Sequence, residues 1–195
     1  MDLLARAKQM EAEGRDIIHM EVGEPDFSMP GPLLGRAKQA LESETLTPGQ
    51  LGYTPALGIP ALRQLIADNN SANAPEIAVT PGASGALQLA IAAVIDSGDS
   101  VLVTDPGYPC NSVMVELTGG QPIPLPCSAE SRFQPTAVMV DKQWSQDTKA
   151  VLLASPANPT GCSIARNELV QIADVAAGRG GWVIVDEIYG RLANS

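Results

Sequence analysis

"KAVLLASPANPTGCSIARNELVQIADVAAGRGGWVIVDEIYG", Lys149 to Gly190, decides the fold. An apolar run, KAVLLA, stops at a turn that holds two prolines, Pro156 and Pro159, on either side of Asn158. A stretch with helical periodicity, ARNELVQIADVAAGRG, follows, and a second apolar run, GWVIVDEIY, closes the unit. Neither apolar run alternates with polar residues, so each predicts a strand buried on both faces. Two such strands joined by a helix predict a parallel β-α-β unit.

The alternation extends upstream. EIAVT (76–80) predicts a strand, GASGALQLAIAAVID a helix, SVLVT a strand and YPCNSVMVELT a helix, while QPIPL is a strand weakened by prolines. Pro60 is placed as the first residue of a helix over PALRQLIADNN. TPGQLGYTPALGIP (47–60) is a Pro/Gly-rich loop, long for a simple connector. Before it, residues 32–43 predict a helix and IIHMEV (17–22) a short strand. Residues 3–13 predict a helix with Leu3, Leu4, Ala7 and Met10 on one face. The fold class is therefore α/β, three-layered, with a mostly parallel sheet covered by helices on both faces.

The 195 residues carry a formal net charge of -10, with a pI near 4.4. That balance argues against nucleic acid or an anionic membrane surface as partner, but not against a small anion held by local groups. No apolar run is long enough to span a bilayer, and the charged, helix-periodic start does not read as a signal peptide. One histidine, His19, and three cysteines, Cys110, Cys127 and Cys162, without CxxC spacing, argue against a zinc site and fit a reducing, cytoplasmic setting.

In a parallel sheet, ligands lie beyond the carboxyl ends of the strands, so the residues just after each apolar run carry the information. VTPGASGAL would present the backbone N–H groups of Gly82, Ala83 and Ser84 at a helix N-terminus, an anion site whose usual occupant is phosphate. The alternative there is a tight turn with Ser84 as a simple N-cap. DPGYP places Tyr108 where it could stack on a planar ring, or serve as a surface tyrosine in a turn. WVIVDEIYG ends in Asp186, a carboxylate at the end of an apolar run that needs a partner and would suit a protonated ring nitrogen. Tyr189 follows it.

Six segments in order, GEPDF, GYTPALGIPALR, TPGASGAL, DPGYP, SPANPTG and DEIYG, resemble the class I/II aminotransferases of fold-type I, which depend on pyridoxal 5'-phosphate. The resemblance covers essentially the whole chain. It implies an arm and part of a small domain over residues 1–45, and the N-terminal portion of the cofactor-binding large domain over 46–195. It implies that Gly82, Ala83 and Ser84 wrap the cofactor phosphate and that Tyr108 stacks on the pyridine ring. Asn158 and Tyr189 would bond the phenolic oxygen, and Asp186 would pair with the pyridinium. Tyr53 would reach the phosphate of the partner subunit in a homodimer, and Gly23 would border the substrate carboxylate. In the family the Asn-Pro bond of NPTG is commonly cis, which gives the two prolines around Asn158 a purpose: they aim its side chain.

The activity implied is transfer of an amino group between an amino acid and a 2-oxo acid. The family's Schiff-base lysine lies in an S-x-S-K motif beyond DEIYG, whereas Lys8, Lys38, Lys142 and Lys149 all precede Asp186. The chain is thus expected to be an N-terminal half, lacking the catalytic base and inactive alone. A carbon-sulfur β-lyase of the same fold, or an inactive aminotransferase-like sensor domain, are the alternative readings.

Overall fold

The computed structural model describes residues 2–20, 23, 27–42 and 52–192. The chain divides into two compact units, Met1–Tyr53 and Thr54–Ser195.

The first unit contains α1 (Asp2–Ala12) and α2 (Gly31–Glu42), as the periodicity predicts. Ala7 is buried, and His19 Nε2 lies 2.8 Å from Glu11 Oε1. The strand expected over 17–22 does not form within its described part. Residues 15–20 have no regular structure, and Ile18 and Met20 are exposed, so the burial that drives an apolar run into a sheet is not provided. Residues 21 and 22, most of GEPDF and the loop as far as residue 51 lie outside the described residues.

The second unit runs α3 (Pro60–Asn70), α4 (Gly82–Val94), β1 (Ser100–Asp105), α5 (Cys110–Leu117), β2 (Gln121–Pro126), α6 (Ala137–Gln143), β3 (Thr148–Ala154), α7 (Arg166–Gly178) and β4 (Trp182–Asp186). The four strands form one parallel sheet in the order β2-β1-β3-β4. Alternate strand residues build two separate cores, as the period of two requires. On one face Leu102, Leu125, Val151 and Leu153 pack with Val140 of α6 and with Ile172 and Ala176 of α7. On the other, Val101, Val103, Ala150 and Leu152 pack with Leu87 and Ile91 of α4 and with Met114 and Val115 of α5. This is the three-layer arrangement expected from the sequence.

β2 shows how an edge strand accommodates prolines. Gln121 N–H donates to Asp99 O at 2.8 Å and Cys127 N–H to Asp105 O at 2.7 Å, so the odd-numbered amides face β1. Pro122, Pro124 and Pro126 fall on the alternate positions, where a missing N–H breaks no ladder bond.

Two further differences from expectation have physical causes. EIAVT is not a strand: Glu76 ends a short 3-10 turn (Ala74–Glu76), and residues 77–80 run extended without a ladder. Their neighbour is a loop, to which they are joined by the bond from Val79 N–H to Leu57 O at 3.0 Å. Helix α6, by contrast, is absent from the alternation read in the sequence. It is held from outside its own sequence. Thr136 Oγ1 accepts from Met139 N–H at 3.3 Å, and Glu168 Oε1, on α7, accepts from Ala137 N–H at 2.6 Å.

Candidate active site

The site is built where the strands end. α4 holds 13 residues, about 20 Å at 1.5 Å each. Five residues separate its last turn from the amino end of β1, so its first turn lies toward the carboxyl end of the sheet. It packs against β4 and α5.

The turn into α4 has a defined local cause. Pro81 has φ -73° and ψ 74°, and Gly82 N–H donates back to Thr80 O at 2.8 Å; together these make an inverse γ-turn. Gly82 then takes φ +82°, a region open to glycine at little cost. Thr80 Oγ1 locks the turn by donating to Gly82 O at 2.9 Å. The N-cap position belongs to Pro81, so Ser84 is not the cap; it is the third helical residue and is exposed. Among the described residues the N–H groups of Ala83 and Ser84 have no acceptor, as expected of a helix's first turn.

At the end of β1, Tyr108 is half-buried. Gly107 is required beside it, because a Cβ there would collide with the Thr104 carbonyl oxygen. The Tyr108 phenol is held above the usual tyrosine range, first by a hydrogen bond with Cys110 and by its field, then by burial and by the nearby Tyr189 and Asp186. That places Cys110, Asp186 and Tyr189 each within electrostatic reach of Tyr108. Asn111, the next residue on α5, is 4% exposed, and its Oδ1 has no hydrogen-bond partner.

The SPANPTG turn is fixed by its backbone. Both Ser155–Pro156 and Asn158–Pro159 are cis, as is Asp105–Pro106 at the neighbouring strand end. Ala157 N–H donates to Cys162 O at 2.9 Å, Gly161 N–H to Ala157 O at 2.7 Å, and Ile164 N–H to Ser155 Oγ at 3.0 Å. Gln134 Nε2 adds a further bond to Cys162 O. The half-buried Asn158 side chain has no hydrogen bond of its own among the described residues. Ser155 N–H donates to Asp186 O, which brings this turn beside the end of β4.

Asp186 is half-buried. One carboxylate oxygen accepts from Ile188 N–H at 3.0 Å and so shapes the turn that carries Tyr189; the other oxygen has no protein partner among the described residues. Tyr53 and Gly23 belong to the first unit and are exposed.

The polar groups that converge here therefore include several left unpaired: two helix-terminal N–H groups, the Asn158 amide and one oxygen of Asp186. Cys110 and Asn111 were not singled out by sequence reasoning, although CN directly after the Tyr108-Pro109 pair in YPCN was the available signal.

The model of the aminotransferase class I and II family matches residues 15–195. The chain is 35% identical over 195 residues to a valine–pyruvate aminotransferase of Mycobacterium tuberculosis, covering 97% of this chain and 49% of that protein. It is 34% identical to an aspartate aminotransferase of Bacillus sp. strain YM-2, with the same coverage. The solved aspartate aminotransferase from Thermus thermophilus with maleate superposes with a TM-score of 0.91 at 30% identity, over 100% of this chain and 51% of that one. The chain thus spans about half the length of the relatives it matches. By its sequence over residues 15–195 and by the fold it shares with these enzymes, the chain belongs to the class I and II aminotransferase family.

Proposed function

We propose that this chain forms the cofactor cradle of a pyridoxal 5'-phosphate-dependent aminotransferase, which moves an amino group between an amino acid and a 2-oxo acid. The observation that carries this reading is the set of unpaired polar groups at the carboxyl ends of β3 and β4, together with the first turn of α4. When bound, the cofactor supplies an electron sink for the substrate α-carbon.

The residues divide the work of holding it. The unpaired N–H groups of Ala83 and Ser84 and the Ser84 hydroxyl receive the phosphate, favoured by the helix dipole, while Gly82 shapes the turn that presents them. Tyr108 offers its ring face to the pyridine. The unpaired oxygen of Asp186 keeps the ring nitrogen protonated by Coulomb attraction, which strengthens the sink. Asn158 and Tyr189 donate to the phenolic oxygen. Gly23 borders the substrate carboxylate.

Supply of the amine is a separate matter. Lys149 is the second residue of β3, and Ala154 of that strand is level with Asp186. Five residues at about 3.3 Å put Lys149 roughly 17 Å away along the strand. Lys142, in the last turn of α6, is on the same amino side. Lys8 and Lys38 stand on α1 and α2 of the first unit, and in this reading the amine that activates the cofactor comes from another part of the whole protein.

Residues 1–45 form an arm and part of a small domain in this reading, and 46–195 the first portion of the large domain. The whole protein would be a homodimer with Tyr53 crossing to the partner's phosphate, in keeping with its full exposure on the single chain. A cytoplasmic location fits the acidic composition, and no helix among the described residues is long and apolar enough to cross a membrane.

The test is to titrate the 195-residue chain with pyridoxal phosphate, reduce with borohydride and map the lysines. Saturable binding that Asp186→Asn and Asn158→Ala each weaken about tenfold, the worth of a lost charge-assisted bond, is expected, with no single stoichiometric lysine adduct. Unchanged affinity in both variants would remove the reading. A single adduct accompanied by turnover would show that the amine lies within this chain.

A further inference from the structure

Arg63 lies on α3 and bonds none of the residues assigned to the cofactor; its half-buried guanidinium donates instead to two backbone carbonyls. Nε donates to Ile77 O at 2.8 Å and Nη2 to Ala74 O at 2.7 Å. Both acceptors belong to the segment that leads into the α4 turn. The same segment is held from a second side. Val79 N–H donates to Leu57 O at 3.0 Å, and Gly58, at φ +102°, lies so close that a Cβ would stand 2.8 Å from Val79 Cβ and Cγ2. Gly58 N–H in turn bonds Pro55 O at 2.8 Å. The Glu76 carboxylate closes the 3-10 turn by accepting from Asn73 N–H at 2.8 Å.

From Val79 the chain reaches the α4 turn in one further residue. Thr80 holds Gly82 through both its carbonyl and its hydroxyl. Segment 74–80 has no sheet ladder to fix it, so its position depends on these few bonds. A guanidinium suits the task because its fork reaches two carbonyls at fixed spacing, which a lysine cannot do.

We propose that Arg63, with the Leu57–Gly58–Val79 contact, forms a clasp that positions the Thr80–Ser84 turn for an anionic phosphate. Arg63 is thus a positioning residue: it acts through the backbone of 74–80 and does not itself meet the anion. The inference rests on the cofactor reading above for the identity of the anion, but not for the existence of the clasp. It also assigns a role to the GYTPALGIPALR segment beyond Tyr53, since Leu57, Gly58 and Arg63 of that one segment all hold 74–79.

The experiment has two arms on the 195-residue chain as wild type, Arg63→Met and Arg63→Lys. In the first, binding of pyridoxine 5'-phosphate is compared with that of pyridoxine, alcohols that form no lysine adducts and differ only in the phosphate. Wild type prefers the phosphate form. In Arg63→Met that preference falls about tenfold while pyridoxine affinity is unchanged, and Arg63→Lys, which keeps one bond, lies between. A variant that loses affinity for both compounds equally, or for neither, overturns the positioning role. In the second arm, hydrogen exchange without ligand follows the Val79 amide and residues 55–59. Arg63→Met raises exchange at both together, whereas loosening confined to 74–77 overturns the clasp. A wild-type chain that does not prefer the phosphate form sinks the cofactor reading and the positioning role with it, while the exchange arm still decides the clasp by itself.

Discussion

Ser155 and Asp186, 31 residues apart in sequence, are joined by a hydrogen bond from the Ser155 N–H to the Asp186 carbonyl oxygen at 3.0 Å. The bond extends the β3–β4 ladder one step past the last paired residues, Ala154 and Asp186. It sets the turn that carries Asn158 directly beside the strand end that carries the acid. The segments that carry Asn158 and Asp186 are thereby held side by side by main-chain geometry, which needs no side-chain contact between the two residues.

Ser155 contributes to that turn a second time, because its Oγ accepts from Ile164 N–H at 3.0 Å. Ser155→Ala removes the acceptor and leaves an amide unpaired on a residue that is 7% exposed. A destabilisation of about 1–3 kcal/mol is expected. Urea unfolding measures it, and a midpoint identical to wild type would show that water replaces the hydroxyl freely.

Gly107→Ala tests the approach of the DPGYP turn to β1. The added Cβ has no room against the Thr104 carbonyl, a backbone atom that cannot swing aside. The turn must shift, at a cost of about 1–3 kcal/mol, and carry Tyr108 with it. The expected result is a lowered unfolding midpoint together with weakened ring binding. A fully stable variant with unchanged cofactor affinity would contradict the geometry.

The Tyr108 phenol provides a pH prediction. Its folded-state pKa is raised, chiefly by the Cys110 hydrogen bond, so the protonated phenol is favoured in the fold. A raised value means a stability contribution fully present below the unfolded pKa of about 10 and lost as pH climbs through the folded value. Phenolate absorbance in native chain should show one tyrosine titrating later than an ordinary one, and Tyr108→Phe should delete that late component. A Tyr108→Phe titration retaining it would assign the shift to Tyr53 or Tyr189.

Leu152 has no exposed surface and sits in β3 on the face covered by α4 and α5. Leu152→Ala should cost about 2–5 kcal/mol, through lost burial and the cavity left behind. Denaturant titration followed by circular dichroism reads this directly. A loss well under 1 kcal/mol would mean that α4 collapses onto the sheet.

The sequence by itself determined the layers. Unbroken apolar runs such as VLLA and WVIV have no polar face to show to water, so they require helices on both sides, and period-two alternation then separates Val101, Val103 and Leu152 from Leu102, Val151 and Leu153. The punctuation residues were equally legible. Gly82, Asn158 and Asp186 stood out because glycine, proline-flanked asparagine and strand-end aspartate each have narrow physical uses.

Other features were settled only by the tertiary structure. EIAVT has the composition of a strand, yet it lies against a loop, where a ladder has nothing to pair with. AVMV mixes two good helix formers with two β-branched valines, and its helix begins where Glu168, 31 residues away, accepts from the first amide. The bonds of Arg63 are set by carbonyls remote in sequence, and no local pattern announces them. A residue's conformational limits are written in its own covalent structure, whereas its partners exist only once the chain has closed around it.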